Sequence, residues 1–143
     1  MTILHTFIGP RRYAQGASAL AQAGTLIRPL GEHAFVLYDR AATDLWARQL
    51  RPALVAACIG VGGTEFTGEC TQGEIDRVGA AARITRADII VGLGGGKAID
   101  TAKAVADDLD AALAILPTIA STDAPTSARS AIYTDRGSFD RYR

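Results

Sequence analysis

The amino-acid sequence, 143 residues long, lacks the features that would commit it to a membrane, a nucleic acid or a disulfide scaffold. Its longest apolar runs, such as 111–117, fall far short of the ~20 residues that a transmembrane helix needs. The 15 basic and 15 acidic residues are mixed and cancel, so no net charge favours nucleic acid or a membrane surface. Cys58 and Cys70 form no Cys-x-x-Cys motif, and we expect two reduced thiols. Residues 1–5 lack the basic and apolar regions of an export signal, so we expect a cytoplasmic protein.

Hydrophobic residues make up 48% of the chain, which is ample for one core, and the length favours one domain over residues 1–143. Strand-like and helix-like segments alternate, and this order predicts an α/β fold with a parallel sheet and crossover helices. Two polar-apolar runs around 135–137 predict a β-hairpin within 130–142. The predicted strands are 33–38, a short one at 65–67, 87–93 and 113–116. Helices are predicted over 17–30, 43–58, from a cap at Thr71, and from Ala98 to about Asp110.

The most informative segment is 91–103, where a buried strand leads through three glycines and a lysine into a helix. Glycines let the backbone approach an anion closely, because they carry no Cβ. The free N–H groups and the dipole of the following helix favour negative charge at the same point. A cation at a helix N-terminus is unfavourable unless an anion lies beside it, and Lys97 occupies that position. The segment Gly94 to Lys97 therefore predicts a phosphate-binding loop.

Two common phosphate motifs do not fit this loop. A P-loop requires a first glycine where Val91 stands and a hydroxyl residue where Ala98 follows the lysine. The dinucleotide pattern Gly-x-Gly-x-x-Gly fits at Gly92 and Gly94 but meets Lys97 at its third glycine. Chemistry on a nucleoside triphosphate is therefore disfavoured.

A third pattern fits over a longer stretch. Residues 94–103, GGGKAIDTAK, resemble the pyrophosphate loop of the glycerol dehydrogenases, within the iron-containing alcohol dehydrogenase superfamily. The similarity continues through 117–127, PTIASTDAPTS, and reaches back to 7–10 with Tyr13 and Gln15-Gly16. Other branches usually carry Gly-Gly-Gly-Ser at the loop and lack Thr-Asp-Ala-Pro. The resemblance implies a Rossmann-like NAD-binding domain.

Asp39 follows a predicted strand, where doubly wound domains place the acid that binds the adenosine ribose. From its position alone it could equally be a helix N-cap or a turn residue. The resemblance favours the ribose role, and an acid there would repel a 2′-phosphate and select NAD over NADP. The neighbouring Arg40 could tolerate NADP.

The resemblance implies further contacts. The cofactor contacts it implies are Asp39, Gly94, Gly95, Gly96, Lys97, Thr118, Ile119, Ala120, Ser121, Ser127, Arg129 and Tyr133. Asp123 is expected to accept hydrogen bonds from a polyol substrate, and the alternative is an aspartate that stabilises a turn. For the whole segment 118–127 the alternative is a Pro- and Asx-rich loop that caps the next element. Arg129 departs from the family, which usually has an aliphatic residue there.

Two helices carry local pairs of polar residues. Thr71 and Glu74 have the spacing of a capping box. Asp100 and Lys103, three residues apart, predict a weak exposed ion pair, and Asp100 is expected to support the backbone of the glycine loop.

Neither histidine, His5 nor His33, has a second ligand at metal-binding spacing, so we assign no metal site to this chain. The resemblance implies a divalent metal, usually zinc, held by one aspartate and two histidines in an all-helical C-terminal domain that these residues do not contain. The expected function is NAD-dependent oxidation of glycerol to dihydroxyacetone, with this chain as the cofactor-binding half and inactive alone. The alternatives are a stand-alone or vestigial NAD-binding module and a relative acting on another vicinal diol. We expect no nucleic-acid or membrane partner, and a homo-oligomer at full length.

Overall fold

The computed structural model describes residues 9–143. His5 and the first two residues of the 7–10 motif lie outside the described residues. Every helix within the described part is too short or too polar to cross a membrane.

A parallel sheet forms the centre of the fold. Its strands are β1 (His33–Tyr38), β2 (Gly60–Glu65), β3 (Ile89–Gly94) and β4 (Ala112–Pro117). Their order is β2-β1-β3-β4, and all three pairings are parallel. All six residues of β3 are buried, as expected of a central strand with both faces covered. The predicted Rossmann-like α/β fold is confirmed.

Helices cover both faces of this sheet. Their bounds are α1 (Ala23–Ile27), α2 (Thr43–Leu45), α3 (Arg51–Ala56), α4 (Gln72–Ile84) and α5 (Gly96–Leu109). A π-helix, Trp46–Leu50, joins α2 to α3, and 3-10 turns occupy Ala19–Gln22, Arg28–Leu30 and Arg40–Ala42. Because side chains alternate along a strand, β1 sends Phe35 and Leu37 toward α4 and α5, and Ala34 and Val36 toward α1 and α3.

The predicted hairpin at the end of the chain is also confirmed. Strands β5 (Ala131–Tyr133) and β6 (Phe139–Tyr142) pair antiparallel. The turn between them includes Gly137 at a φ of 77°, a conformation that favours glycine. The N–H of Tyr133 donates to the carbonyl of Cys70, which fastens the hairpin to the segment before α4.

The predicted strand at 65–67 is wrong: β2 runs from Gly60 to Glu65 and includes three glycines. Glycine has a low intrinsic preference for strands, so the glycines at 60–63 predicted a loop between the preceding helix and the strand. In the fold, a Cβ at Gly63 would lie 2.8 Å from the carbonyl oxygen of Val36 on β1. The close approach of the neighbouring backbone requires glycine here, and such tertiary contacts outweigh local preference.

The connection from β2 to α4 is held by an ion pair between the buried Glu74 carboxylate and the exposed Arg77 guanidinium. Thr71 Oγ1 accepts the N–H of Glu74, so the predicted helix cap forms. The Glu74 carboxylate accepts from the N–H of Thr67 at 3.0 Å and from the Arg77 guanidinium at 2.7 Å, rather than from Thr71 as a capping box requires. Burial raises the pKa of Glu74, but the hydrogen bonds from Arg77 and Thr67 outweigh it and hold the pKa below its ordinary value of 4.5.

Replacing this carboxylate, Glu74→Gln, should lower the free energy of unfolding by about 1–3 kcal/mol at neutral pH, because the buried side chain loses its charged hydrogen bonds with Arg77 and Thr67. The folded pKa is depressed, so the carboxylate's contribution is present above pH 4.5 and is lost as the pH falls through the lower folded value. Urea unfolding at a series of pH values measures both effects. Asp44→Asn, at an exposed pair with Arg48, is the control and should change stability by less than about 0.5 kcal/mol. A Glu74→Gln variant with the wild-type dependence on acid pH would contradict this assignment.

Candidate functional site

The carboxyl ends of the parallel strands meet at one edge of the sheet, and the Asp39 side chain connects two of them. Asp39 follows β1, and its Oδ2 accepts the N–H of Gly95 at 2.5 Å, at the start of α5. Its own N–H donates to the carbonyl of Leu93 on β3. Asp39 is thus neither the side-chain cap of its own helical turn nor a simple turn residue. Within residues 9–143 its second carboxylate oxygen, Oδ1, accepts no hydrogen bond.

A cleft of about 340 Å³ opens between the ends of β1 and β2. Its lining residues are Asp39, Arg40, Glu65, Phe66, Thr67 and Gly68. Ligand clefts of open parallel sheets lie at this end of the strands, at the point where the strand order reverses. The connections of β1 and β3 lie on opposite faces of this sheet, which places the cleft beside such a point.

The predicted phosphate loop has no space for side chains. A Cβ at Gly94 would lie 2.6 Å from Asp39 Cγ, and one at Gly96 would lie 2.7 Å from Thr122 Oγ1. Gly95 is the N-cap of α5 and carries no capping side chain. The N–H groups of Gly96, Lys97 and Ala98 find no acceptor in the described part of the chain. Unpaired donors at a helix N-terminus form a site for an anion.

Lys97 extends from the first turn of α5 to a carboxylate that the sequence did not reveal. Its Nζ lies 2.6 Å from Glu69 Oε2 and 5.5 Å from the centre of the Tyr133 ring. The hydrogen bond to Glu69 raises the pKa of the Lys97 ammonium, which therefore stays charged. Glu69 stands 28 positions earlier, after Gly68 at a φ of 113°, and no spacing rule connects it with Lys97.

The segment after β4 packs directly on the glycine loop. The N–H of Thr118 donates to the carbonyl of Gly94, and Ile119 Cδ1 lies 2.9 Å from where a Cβ on Gly95 would stand. Thr118, Ile119, Ala120 and Ser121 are all exposed at this edge. The structure therefore brings the two predicted cofactor segments into contact, while their roles in binding remain predictions.

A tight turn follows and carries the predicted substrate residue. The carbonyl of Asp123 accepts the N–H groups of Thr126 and Ser127, and its side chain is exposed, with no ion pair in the described residues. Ser127 Oγ accepts the N–H of Arg129 at 3.1 Å. The exposed Arg129 guanidinium lies 5.8 Å from the centre of the Tyr142 ring.

The predicted exposed pair of Asp100 and Lys103 requires correction. The two groups do pair, at 2.7 Å, but the Lys103 side chain is only 9% exposed. Asp100 Oδ2 accepts the N–H of Ala131 on β5 and does not support the glycine loop. The periodicity of an isolated helix did not reveal that the segment after β4 folds over this face.

Among residues 9–143, no group of three or more His, Cys, Asp or Glu side chains is placed to hold a metal ion. Cys58 is exposed and Cys70 is buried, and both are free.

A parallel sheet whose glycine loop precedes a helix N-terminus, beside an acid on the adjacent strand, is the arrangement of nucleotide-binding α/β proteins. A model of the family described as iron-containing alcohol dehydrogenase matches residues 10–142. This chain belongs to that family.

Individual relatives agree with this assignment. A glycerol dehydrogenase from Pseudomonas putida is 45% identical over 133 residues, which cover 93% of this chain and 36% of that protein. A glycolaldehyde reductase from Halobacterium salinarum is 39% identical over 136 residues, covering 95% of this chain and 37% of that protein. The crystal structure of a probable glycerol dehydrogenase from Sinorhizobium meliloti superimposes with a TM-score of 0.88 at 39% identity, covering 98% of this chain and 38% of that one. The chain spans little more than a third of the length of these proteins.

The close approach of Asp39 to the glycine loop predicts that Gly94→Ala lowers the free energy of unfolding by about 1–3 kcal/mol, since either the carboxylate or the loop must shift. Urea unfolding measures the change. The matched control is Gly73→Ala in the first turn of α4, where the nearest atom would be 3.9 Å away and a gain of up to about 1 kcal/mol is expected. Equal effects of the two substitutions would contradict the packing described.

Proposed function

We propose that this chain forms the NAD-binding part of a polyol dehydrogenase that oxidises glycerol to dihydroxyacetone. One observation carries the proposal: at the start of α5, the N–H groups of Gly96, Lys97 and Ala98 find no acceptor in the described residues and lie beside the charged Lys97 side chain. Backbone donors and a cation in this arrangement fit a pyrophosphate. Membership of an alcohol dehydrogenase family supports a dinucleotide over other phosphorylated ligands.

The proposed cofactor would contact two regions of the chain, one on each side of the glycine loop. The cleft beside Asp39 would take the adenosine, with Oδ1 accepting a ribose hydroxyl while Oδ2 keeps its bond to Gly95. The exposed segment 118–121 would lie along the cofactor on the other side of the glycine loop, followed by Ser127, Arg129 and Tyr133 at the nicotinamide end. The bound nicotinamide supplies the acceptor for a hydride from the alcohol carbon.

The substrate would lie beside this end of the cofactor. Asp123 is exposed and its carboxylate is in no ion pair in the described residues, so it can accept hydrogen bonds from two hydroxyls of a small polyol. The described residues do not fit the metal that the family's name implies, because no three of their His, Cys, Asp or Glu side chains are placed to hold one. We infer that the divalent metal, zinc by resemblance, belongs to the part of the relatives that this chain does not match.

A second candidate is an NAD-binding module without catalysis. This candidate needs only the cofactor site described above. A third is oxidation or reduction of a related two- or three-carbon substrate, which the 39% identity to a glycolaldehyde reductase supports. All three share the cofactor site, and formation of reduced cofactor on addition of glycerol separates them when it is measured on a protein that joins this chain to the metal-binding part of the relatives.

Calorimetric titration of the 143-residue chain with NAD tests the proposal, and Lys97→Ala tests the residue that carries it. Loss of a charged hydrogen bond to phosphate should weaken binding about 10- to 100-fold. Arg48→Ala, at an exposed pair with Asp44 that contributes nothing to the cleft or the glycine loop, is the control and should bind as the wild type does. A folded chain that does not bind NAD, or a Lys97→Ala variant with unchanged affinity, would contradict the proposal.

Asp39→Asn tests whether this carboxylate selects NAD over NADP. The amide oxygen can still accept the N–H of Gly95, while the negative charge that opposes a 2′-phosphate is removed. The ratio of the dissociation constants for NADP and NAD should shift about tenfold toward NADP, as measured by the same titration. An unchanged ratio would remove Asp39 from cofactor selection.

A further inference from the structure

Lys103 is a cation in the interior of the fold. It lies in the middle of α5, and its side chain is 9% exposed. An ammonium group that leaves water is costly unless its protons find acceptors and its charge finds a partner. Both conditions are met here. The acceptors are carbonyls of the segment 124–129, which is proposed above to lie near the substrate and the nicotinamide.

The ammonium donates to three backbone carbonyls of one short segment. Nζ lies 3.1 Å from the carbonyl oxygens of Ala124 and Ser127 and donates also to that of Arg129. A lysine ammonium has three protons, so these contacts use all of its donors. Asp100 Oδ1, at 2.7 Å, adds an ion pair and accepts no hydrogen bond in the described residues.

The partner carboxylate fastens the other end of the same segment. Asp100 Oδ2 accepts the N–H of Ala131 at 3.1 Å, where β5 begins. The pair of Asp100 and Lys103 therefore binds the backbone at four places between Ala124 and Ala131. The hydrogen bonds that Asp123 and Thr122 make with this turn are local and do not connect it to α5.

We propose that Lys103 is a positioning residue, whose buried ammonium fixes the backbone of 124–129 and so places Asp123 and Ser127 for the substrate and the nicotinamide end of the cofactor. The inference rests on the proposed function for the roles of those two residues. The segment meets the glycine loop only through Ala124, whose Cβ lies 3.8 Å from where a Cβ on Gly96 would stand, while the closer contacts of the loop are with Asp39, Ile119 and Thr122. Loss of the Lys103 charge should therefore weaken binding of the nicotinamide end of the cofactor and not binding of its adenosine and pyrophosphate end.

The test compares NAD with ADP, which carries the adenosine and pyrophosphate but no nicotinamide. Lys103→Met keeps the length of the side chain and removes its charge. The dissociation constant for NAD should rise about tenfold while that for ADP stays within about twofold. Arg143→Met is the matched control, because it removes a cation that pairs with Asp107 and Asp108 of the same helix and contacts nothing in 124–129.

A second variant covers the case in which the unpaired Asp100 prevents folding. Lys103→Met with Asp100→Asn removes both charges and keeps an acceptor for the Ala131 N–H. Amide hydrogen exchange at Thr126 and Ser127 should then be about tenfold faster relative to amides of β3. This readout needs no ligand, so it still decides the inference if the wild-type chain binds neither nucleotide, a result that would overturn only the proposed function. Equal weakening of NAD and ADP, or unchanged exchange at both amides, would overturn the positioning role.

Discussion

The site depends on the hydrogen bond between the carboxylate of Asp39 and the N–H of Gly95. It joins the end of β1 to the start of α5 and so fixes the direction from which the helix leaves the sheet. A carboxylate is well suited to this position, because the positive end of the helix dipole favours negative charge there. The bond requires that Gly94 carry no side chain, and the next three N–H groups of the helix have no acceptor among residues 9–143. The proposed phosphate site therefore depends on one acid, Asp39, and on the absence of a Cβ at Gly94.

The positive charge at the N-terminus of α5 is balanced by two carboxylates, those of Asp39 and Glu69. Lys97 lies where the helix dipole disfavours a cation, and Glu69 offsets that cost with an ion pair at 2.6 Å. Asp39 and Glu69 thus place two negative groups around the loop, one bound to its backbone and one paired with its lysine. An incoming pyrophosphate would compete with Glu69 for the ammonium but leave the Asp39 bond in place. The loop can therefore keep its shape whether or not an anion is bound.

Local pattern was sufficient for the central strands and for the hairpin. The apolar run before the glycine loop and the segment 33–38 are buried on both faces, and burial of that kind leaves a continuous signal in the sequence. It failed for β2, where the approach of Val36 selects glycine over strand-forming residues. The local pattern also failed to predict the burial of Lys103. Its spacing of three residues from Asp100 describes neighbours on a helix surface and does not show which segment packs over that surface.

Some residues of the candidate site could be predicted from the sequence, and others could not. The glycine loop, Asp39 and the 117–127 motif were found from the sequence because each follows a strand or forms a continuous pattern. Glu69 and Lys103 were not found as site residues, since their partners lie 28 and more than 20 positions away and only the tertiary fold brings them together. The contacts that hold the candidate site are therefore less visible in the sequence than the groups that would touch a ligand.

The central claim is that the unpaired N–H groups at the start of α5 receive the phosphates of a dinucleotide. Its most direct test is to follow the backbone amide resonances of the chain during titration with NAD. The largest shifts are expected at Gly96, Lys97 and Ala98, with smaller ones at Thr118 to Ser121. Binding that shifts other amides and leaves those three unchanged would contradict it.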